Sequence, residues 1–207
     1  MGALEHGLSR YFSVADLAAL RTAHVGIVGA GGLGSNVAMM LARSGIRNFV
    51  MADPDVVDAS NLNRQSYFPE DVGISKVLSL SRYLTALEPA INFVAHELTV
   101  TRENAVSLFD VCPIVVEAVD NAETKVFLYE LFAPEKELYV TASGVAGFGD
   151  DAMMIRRNPR PNVIAVGDFS RAVGTANPPL APRVMQAAAM QADAVLAHIL
   201  SVTRVGE

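Results

Sequence analysis

A short run rich in valine and isoleucine, His24 to Val28, leads directly into Gly29-Ala30-Gly31-Gly32-Leu33-Gly34. Its brevity and β-branched, apolar character mark a parallel strand buried on both faces. Over Leu33 to Ser44, Val37, Met40, Leu41 and Ser44 recur at helical spacing, and Gly45 stands where a helix-ending glycine is expected. Strand, tight turn and helix in that order commit the chain to an α/β architecture. In such a turn the glycines serve a sharp bend, close backbone approach to phosphate and close helix-to-strand packing, while the helix N-terminus offers N–H groups to an anion. The next strand, Asn48 to Ala52, delivers Asp53 nineteen positions after Gly34, a spacing that suits a carboxylate bonded to ribose hydroxyls. A glycine turn serving backbone geometry alone would not require strand, helix and acidic residue to agree.

The nucleotide's identity is narrowed by Asp53-Pro54-Asp55-Val56-Val57-Asp58-Ala59-Ser60-Asn61-Leu62-Asn63-Arg64-Gln65. Ser60, Asn61, Asn63, Arg64 and Gln65 set five polar side chains in six positions, poor strand or helix material but good anion-binding material. Arginine's planar fork matches phosphate oxygens. Lys76, after Gly73-Ile74-Ser75, falls in the first turn of a helix expected to run to Glu88 and stop at Pro89. A cation there opposes the helix dipole unless an anion sits beside it; the competing reading is a solvated surface lysine. The apolar strand Pro113 to Val119 ends in Asp120-Asn121, at the strand edge where doubly wound folds bind ligands. Asp120 suits magnesium, which takes one or two carboxylates and shares substrate phosphates. Asp120 or Asn121 also suits capping of a helix starting near Ala122.

These pieces together resemble the ubiquitin-activating-enzyme-like adenylyltransferases of the ThiF/MoeB/HesA family, over Arg10 to about Leu200. The closing segment Ala181-Pro182-Arg183-Val184-Met185-Gln186-Ala187-Ala188-Ala189-Met190-Gln191-Ala192 also resembles the short ThiF-type proteins of thiamine biosynthesis. The resemblance implies a Rossmann-like, doubly wound, mostly parallel sheet with helices on both faces. It implies ATP and Mg²⁺ as cofactors. Gly29, Gly31, Gly32 and Gly34 would lie under the nucleotide, Asp53 would hold the ribose with Asp55 nearby, and Asn61, Asn63, Arg64 and Gln65 would line the triphosphate. Lys76 would reach the α-phosphate region, Asp120 would bind magnesium and Asn121 would sit beside it. The implied substrate is the C-terminal carboxylate of a ubiquitin-like sulfur carrier ending in Gly-Gly, converted to an acyl-adenylate with release of pyrophosphate. Such a carboxylate is ionised at neutral pH, so positioning and charge stabilisation by Arg64, Lys76 and an Asp120-bound Mg²⁺ suffice without a general base. His6, His24, His96 and His198 accordingly fall outside every motif.

Three departures from the wider family matter. With one cysteine the chain cannot build a Cys₄ site, so no zinc is expected. Gly167 to Ala181, where relatives carry a reactive cysteine, has none, and Cys112 ahead of a buried strand reads as an apolar filler. Before the first strand only Arg10 remains of an arginine-rich motif. By the resemblance it would reach into the nucleotide site of a partner subunit, so a homodimer is expected.

The 207 residues, 51% hydrophobic and 18% charged, suit a single ThiF-type domain over 1–207: an N-terminal helical arm over 1–22, a crossover loop over 167–181 and a C-terminal helix over 182–201. Ser13 and Asp16 are placed to cap a helix in the arm. Ile91 to Ala95 and Leu138 to Ala142 read as strands, Asn104 to Phe109 and Ala122 to Phe132 as helices, and Ala152 to Ile155 and Val163 to Val166 as extra, antiparallel-capable strands. The family's carrier tail would thread under the crossover loop, with Gly144, Gly147 and Gly149 leaving a slot for Gly-Gly. No signal-peptide pattern or apolar span of about 20 residues is present, so a cytoplasmic protein without membrane insertion is expected. A net charge of −6 weighs against a nucleic-acid surface, and Arg156, Arg157 and Arg160 read as a solvated strand edge. Three rival functions remain: an NAD(P)-dependent oxidoreductase, which leaves Asn61, Arg64, Lys76 and Asp120 unexplained; a family member acting on a modified tRNA nucleoside; and a scaffold that only binds nucleotide.

Overall fold

The computed structural model describes residues 2–149 and 153–205. Its strands are β1 His24–Val28, β2 Asn48–Ala52, β3 Asn92–His96, β4 Ile114–Glu117, β5 Leu138–Ala142, β6 Ile155–Arg160 and β7 Val163–Gly167. They form one sheet in the order β3-β2-β1-β4-β5-β7-β6, parallel except for β6, which runs antiparallel to β7. The chain winds outward from β1 to β3 and then returns to lay β4 against the other side of β1. The switch point between β1 and β4 is where doubly wound folds open a crevice beyond the strand ends.

Helices cover both faces. Helices α2 Val14–Thr22, α3 Gly32–Arg43, α4 Lys76–Leu87 and α7 Ala181–Val205 pack on one, and α5 Ala105–Leu108 and α6 Ala122–Phe132 on the other. Strand β1 shows why its sequence is apolar throughout. Val25 and Ile27 enter the core shared with Leu41, Leu80 and Val195, whereas Val28 enters the core shared with Phe109, Leu128 and Phe132. Each such side chain, fully buried, contributes about 1.5–3 kcal/mol. Buried Ala187, Ala188, Ala192 and Ala194 let α7 lie close against α3. Among the described residues no helix is long and apolar enough to cross a membrane.

One expectation is extended and one corrected. The arm contains an additional helix, α1 Ala3–Leu8, whose Glu5 pairs with Arg21 at 2.5 Å and Arg47 at 3.0 Å. The expected capped helix is α2, with Asp16 N–H donating to Ser13 Oγ at 3.1 Å and Ser13 N–H to Asp16 Oδ2 at 3.3 Å. The strand expected over Ala152 to Ile155 instead spans Ile155–Arg160; Ala152 lies outside the described residues. Its register slips between Arg157 and Arg160, around Pro159, which lacks an N–H and is tolerated on an edge strand. All six β6 residues are exposed, so the arginines do line a solvated edge.

Candidate active site

The glycine turn joins β1 to α3 at the switch point, and long-range hydrogen bonds hold it from both sides. Ala30 N–H donates to Asp53 Oδ2 at 2.6 Å, and Ala30 C=O accepts the Tyr67 hydroxyl at 2.8 Å. Gly34 must be glycine, because a Cβ there would lie 1.9 Å from Gly29 O. Gly31 is the N-cap of α3 and has no side chain to satisfy the first-turn N–H groups, which leaves them for an anion.

The Asn/Arg/Gln turn is bolted to this helix start. Asn36, buried in α3, donates through Nδ2 to Gly32 O at 2.6 Å and Arg64 O at 2.9 Å, and its Oδ1 accepts the Ser66 hydroxyl at 2.9 Å. The Arg64 guanidinium donates to Ser60 O at 3.0 Å and Asn63 Oδ1 at 2.8 Å, both uncharged acceptors. Asn63 Nδ2 reaches Pro179 O at 3.2 Å and so ties the turn to the crossover loop. Asn61 Oδ1 accepts Asp58 N–H at 3.1 Å within the reciprocal cap of a 3₁₀ turn, Ala59–Asn61. Gln65 is buried beside Gly31, and its Oε1 has no hydrogen-bond partner.

Asp53, expected to hold the ribose, is fastened at the end of β2 with one hydrogen bond to each carboxylate oxygen, which leaves lone pairs for further donors. Besides Ala30 N–H, it accepts Asp55 N–H through Oδ1 at 2.9 Å, so both oxygens fasten the chain to itself. Burial raises its carboxyl above the ordinary value, against the lowering pull of those two N–H groups and of Lys76. Lys76 is no surface lysine. Its ammonium is buried, 2.6 Å from Asp55 Oδ2 and 3.9 Å from Asp53 Oδ1, which supplies the anion that its first-turn position required. The Asp55 carboxylate itself is 62% exposed.

Across the switch point, Ala118 N–H donates to Val28 O at 2.9 Å and Ala118 lies against Gly29 and Gly34, which brings the end of β4 beside the glycine turn. Asp120 is exposed there, and Asn121 caps α6 by accepting Thr124 N–H at 2.9 Å. Gly144 packs closely on the crossover loop: a Cβ there would stand 2.1 Å from Asp168 Oδ1. Asp168 accepts Ser170 N–H at 2.8 Å and Arg171 N–H at 3.0 Å through the same oxygen, and pairs with Arg183 through the other. Phe169 beside it has φ 59°, a left-handed conformation uncommon outside glycine, and its ring lies 4.2 Å beneath the Arg157 guanidinium. Gly147 faces Arg171 and Asn177, and Gly149 has open space around it.

The chain as a whole has known counterparts. The ThiF family profile matches residues 6–205. The chain belongs to the ThiF family. It is 41% identical over 110 residues, 53% of its length, to an adenylyltransferase and sulfurtransferase MOCS3 of Anopheles gambiae. It is 36% identical over 152 residues to an adenylyltransferase and sulfurtransferase uba4 of Aspergillus fumigatus. A probable adenylyltransferase/sulfurtransferase MoeZ of Mycobacterium tuberculosis is 35% identical over 141 residues. The chain matches only 25%, 30% and 36% of these curated relatives' lengths. Among solved structures, E. coli tRNA N6-threonylcarbamoyladenosine dehydratase TcdA in complex with ATP superposes with a TM-score of 0.87 at 21% identity, covering 98% of this chain and 96% of TcdA. E. coli MccB with ATP gives 0.70 at 23% identity, covering 90% and 59%. Both likenesses support the ThiF-type fold.

Two residues of this ThiF-family chain lie away from the crevice. Arg10 occupies the exposed turn after α1, whose Glu5 is tied to Arg21 and Arg47 just ahead of β1 and β2, at the sheet edge opposite the glycine turn. Cys112 is fully buried against Phe109 and the Gly26 backbone. Tyr67 and Asn36 had no signal in the sequence beyond being polar or aromatic near a motif, since their partners are set by the packing of the turn on α3.

Proposed function

We propose that this chain uses ATP to adenylate the C-terminal Gly-Gly carboxylate of a ubiquitin-like sulfur carrier, in thiamine thiazole formation. A carboxylate oxygen bonds to the α-phosphorus, the bond from that phosphorus to the β-phosphate oxygen breaks, and pyrophosphate leaves. The observation that carries this reading is the Lys76–Asp55–Asp53 group. Asp53, held against the glycine turn with one bond to each oxygen, keeps lone pairs for the ribose hydroxyls, and the exposed Asp55 stands beside it. Lys76 sits beneath, held by Asp55 until phosphate competes for it. Arg64's neutral acceptors are likewise outcompeted by phosphate, since pairs of opposite charge are the stronger bonds. The Gln65 amide and the first-turn N–H groups of α3 complete a cradle for negative charge.

Asp120 fits a magnesium site: a hard, exposed oxygen ligand at the switch point with no bonded partner among the described residues. Among the described residues no three His, Cys, Asp or Glu side chains are grouped to hold a metal. A magnesium ion would therefore draw its remaining ligands from phosphate and water, as it commonly does, and when bound would offset phosphate charge. The names of the relatives and the ATP complexes of TcdA and MccB support the same reading.

A second reading, action on a modified tRNA nucleoside, is favoured by one observation, the exposed arginines Arg156, Arg157 and Arg160 along β6. Pyrophosphate–ATP exchange decides between them. Exchange that requires a carrier with a free Gly-Gly terminus, and vanishes when that terminus is amidated, supports carrier adenylation. Exchange or AMP release driven by tRNA and indifferent to carriers would replace it, and NAD binding tighter than Mg-ATP in calorimetry would remove both.

A further inference from the structure

Glu117 ends β4 with its side chain wholly buried. Its carboxylate accepts Val119 N–H at 2.8 Å, the Lys125 ammonium at 2.7 Å and 2.9 Å, and the Thr141 hydroxyl. Lys125, in the first turns of α6, also donates to Ala142 O at 3.0 Å. From α7, Gln191 Nε2 donates to Glu117 O at 3.0 Å. The adenylation chemistry uses neither charge. As a device for stability the pair is poor, because burying the Glu117 charge beside a half-buried lysine costs desolvation that apolar packing avoids, and a cation near a helix N-terminus opposes the dipole. What distinguishes the pair is what it encloses. Glu117 stands at the strand end and Lys125 in the helix, so their bond closes the turn that carries Asp120 and Asn121. The bond to Ala142 fixes that closed turn against the end of β5, next to Ser143 and Gly144.

We propose that Lys125 is a positioning residue: through Glu117 and Ala142 it holds the Asp120 turn where Asp120 can ligate the nucleotide's magnesium. This rests on the adenylation reading above, and Lys125 itself touches no substrate. The test compares wild type with Lys125→Met, Lys125→Arg and the charge-free double variant Glu117→Gln/Lys125→Met, which leaves no unpaired buried charge. The half-saturating Mg²⁺ concentration for binding a non-hydrolysable ATP analogue is read by calorimetry. Lys125→Met and the double variant should raise it about 10- to 100-fold, the range for losing a group that orients a metal ligand. Metal-free nucleotide affinity should stay within about twofold, and Lys125→Arg, which keeps a forked bond to the carboxylate, should return close to wild type. Folded variants with wild-type Mg²⁺ dependence and only a lower melting temperature would overturn the proposal. Should both charge variants fail to fold, Thr141→Val carries the test: about a threefold rise supports it and no change overturns it. Wild-type protein that binds no Mg-ATP would instead refute the adenylation reading itself.

Discussion

The Lys76 ammonium lies 2.6 Å from Asp55 Oδ2, and the two partners differ sharply in exposure, the lysine side chain being 7% and the aspartate 62% accessible. The pair joins the first turn of α4 to the turn after β2, and Lys76 N–H adds a backbone bond to Asp55 O at 3.0 Å. The exposed partner can take a new ligand without unfolding anything, whereas the buried lysine cannot leave.

Removing the two partners should therefore have separable effects. Lys76→Ala should lower carrier-dependent exchange about 100- to 1000-fold, the usual consequence of losing a positioned charge-stabiliser. Asp55→Ala should raise the KM for ATP about tenfold, equivalent to about 1.4 kcal/mol, with a smaller change in kcat. Steady-state kinetics of both variants checks this, and equal losses of kcat from the two in folded protein would contradict it.

Arg64→Ala and Asp120→Ala should abolish exchange while Cys112→Ser leaves it near wild type. Burial pushes the Cys112 thiol up to about 11, so it is protonated at neutral pH and a poor nucleophile. Placing a serine hydroxyl in that apolar site should cost about 1–3 kcal/mol of stability. Denaturant melts and exchange assays on the same preparations measure both effects; lost exchange in folded Cys112→Ser would contradict the structural role.

The crossover loop should loosen in acid. Burial works to raise the Asp168 carboxyl, but the N–H groups of Ser170 and Arg171, the Ser170 hydroxyl and the Arg183 charge outweigh it and hold the group below its ordinary 3.8. A lowered folded value means that the stability it contributes is fully present above the unfolded value and is lost as pH falls through the folded one. Urea midpoints should therefore fall more steeply below about pH 4 in wild type than in Asp168→Asn, and identical slopes would refute this.

Dimerisation should be part of catalysis. Arg10 sits at the sheet edge opposite its own glycine turn, so by the family resemblance it would complete the site of a two-fold-related partner; C₂ dimers are the commonest closed assembly. Arg10→Ala should weaken exchange without unfolding, and mixing Arg10→Ala with Asp120→Ala chains should restore one site per mixed dimer. A fully active monomer in sedimentation, or no rescue after shown subunit exchange, would exclude the arrangement.

Read alone, the chain determined its own layers. Val/Ile-rich runs, helical stripes, the glycine turn and the Ser13/Asp16 cap are short-range signals, and β1, α3, β2, α4 and β5 fall where those signals lie. It also placed Asp53 and Asp120 just past strand ends, because strand-end position follows from the βαβ winding. The Ile155–Arg160 strand was legible only in part, since Asn158 and Pro159 interrupt its pattern and its existence depends on pairing with β7.

Which atom each polar group would meet belonged to the tertiary structure. Asp53 turning onto Ala30 spans 23 residues, Lys76 meeting Asp55 spans 21, and Gln191 reaching Glu117 spans 74. A carboxylate at a strand end can face ligand, backbone or lysine with the same local sequence, and the choice depends on what packing brings within about 3 Å. Burial then decides the energetics, because an unpaired polar group removed from water costs more than its bond returns. The residue types were therefore written in the chain, and their partners were decided only when the helices closed over the sheet.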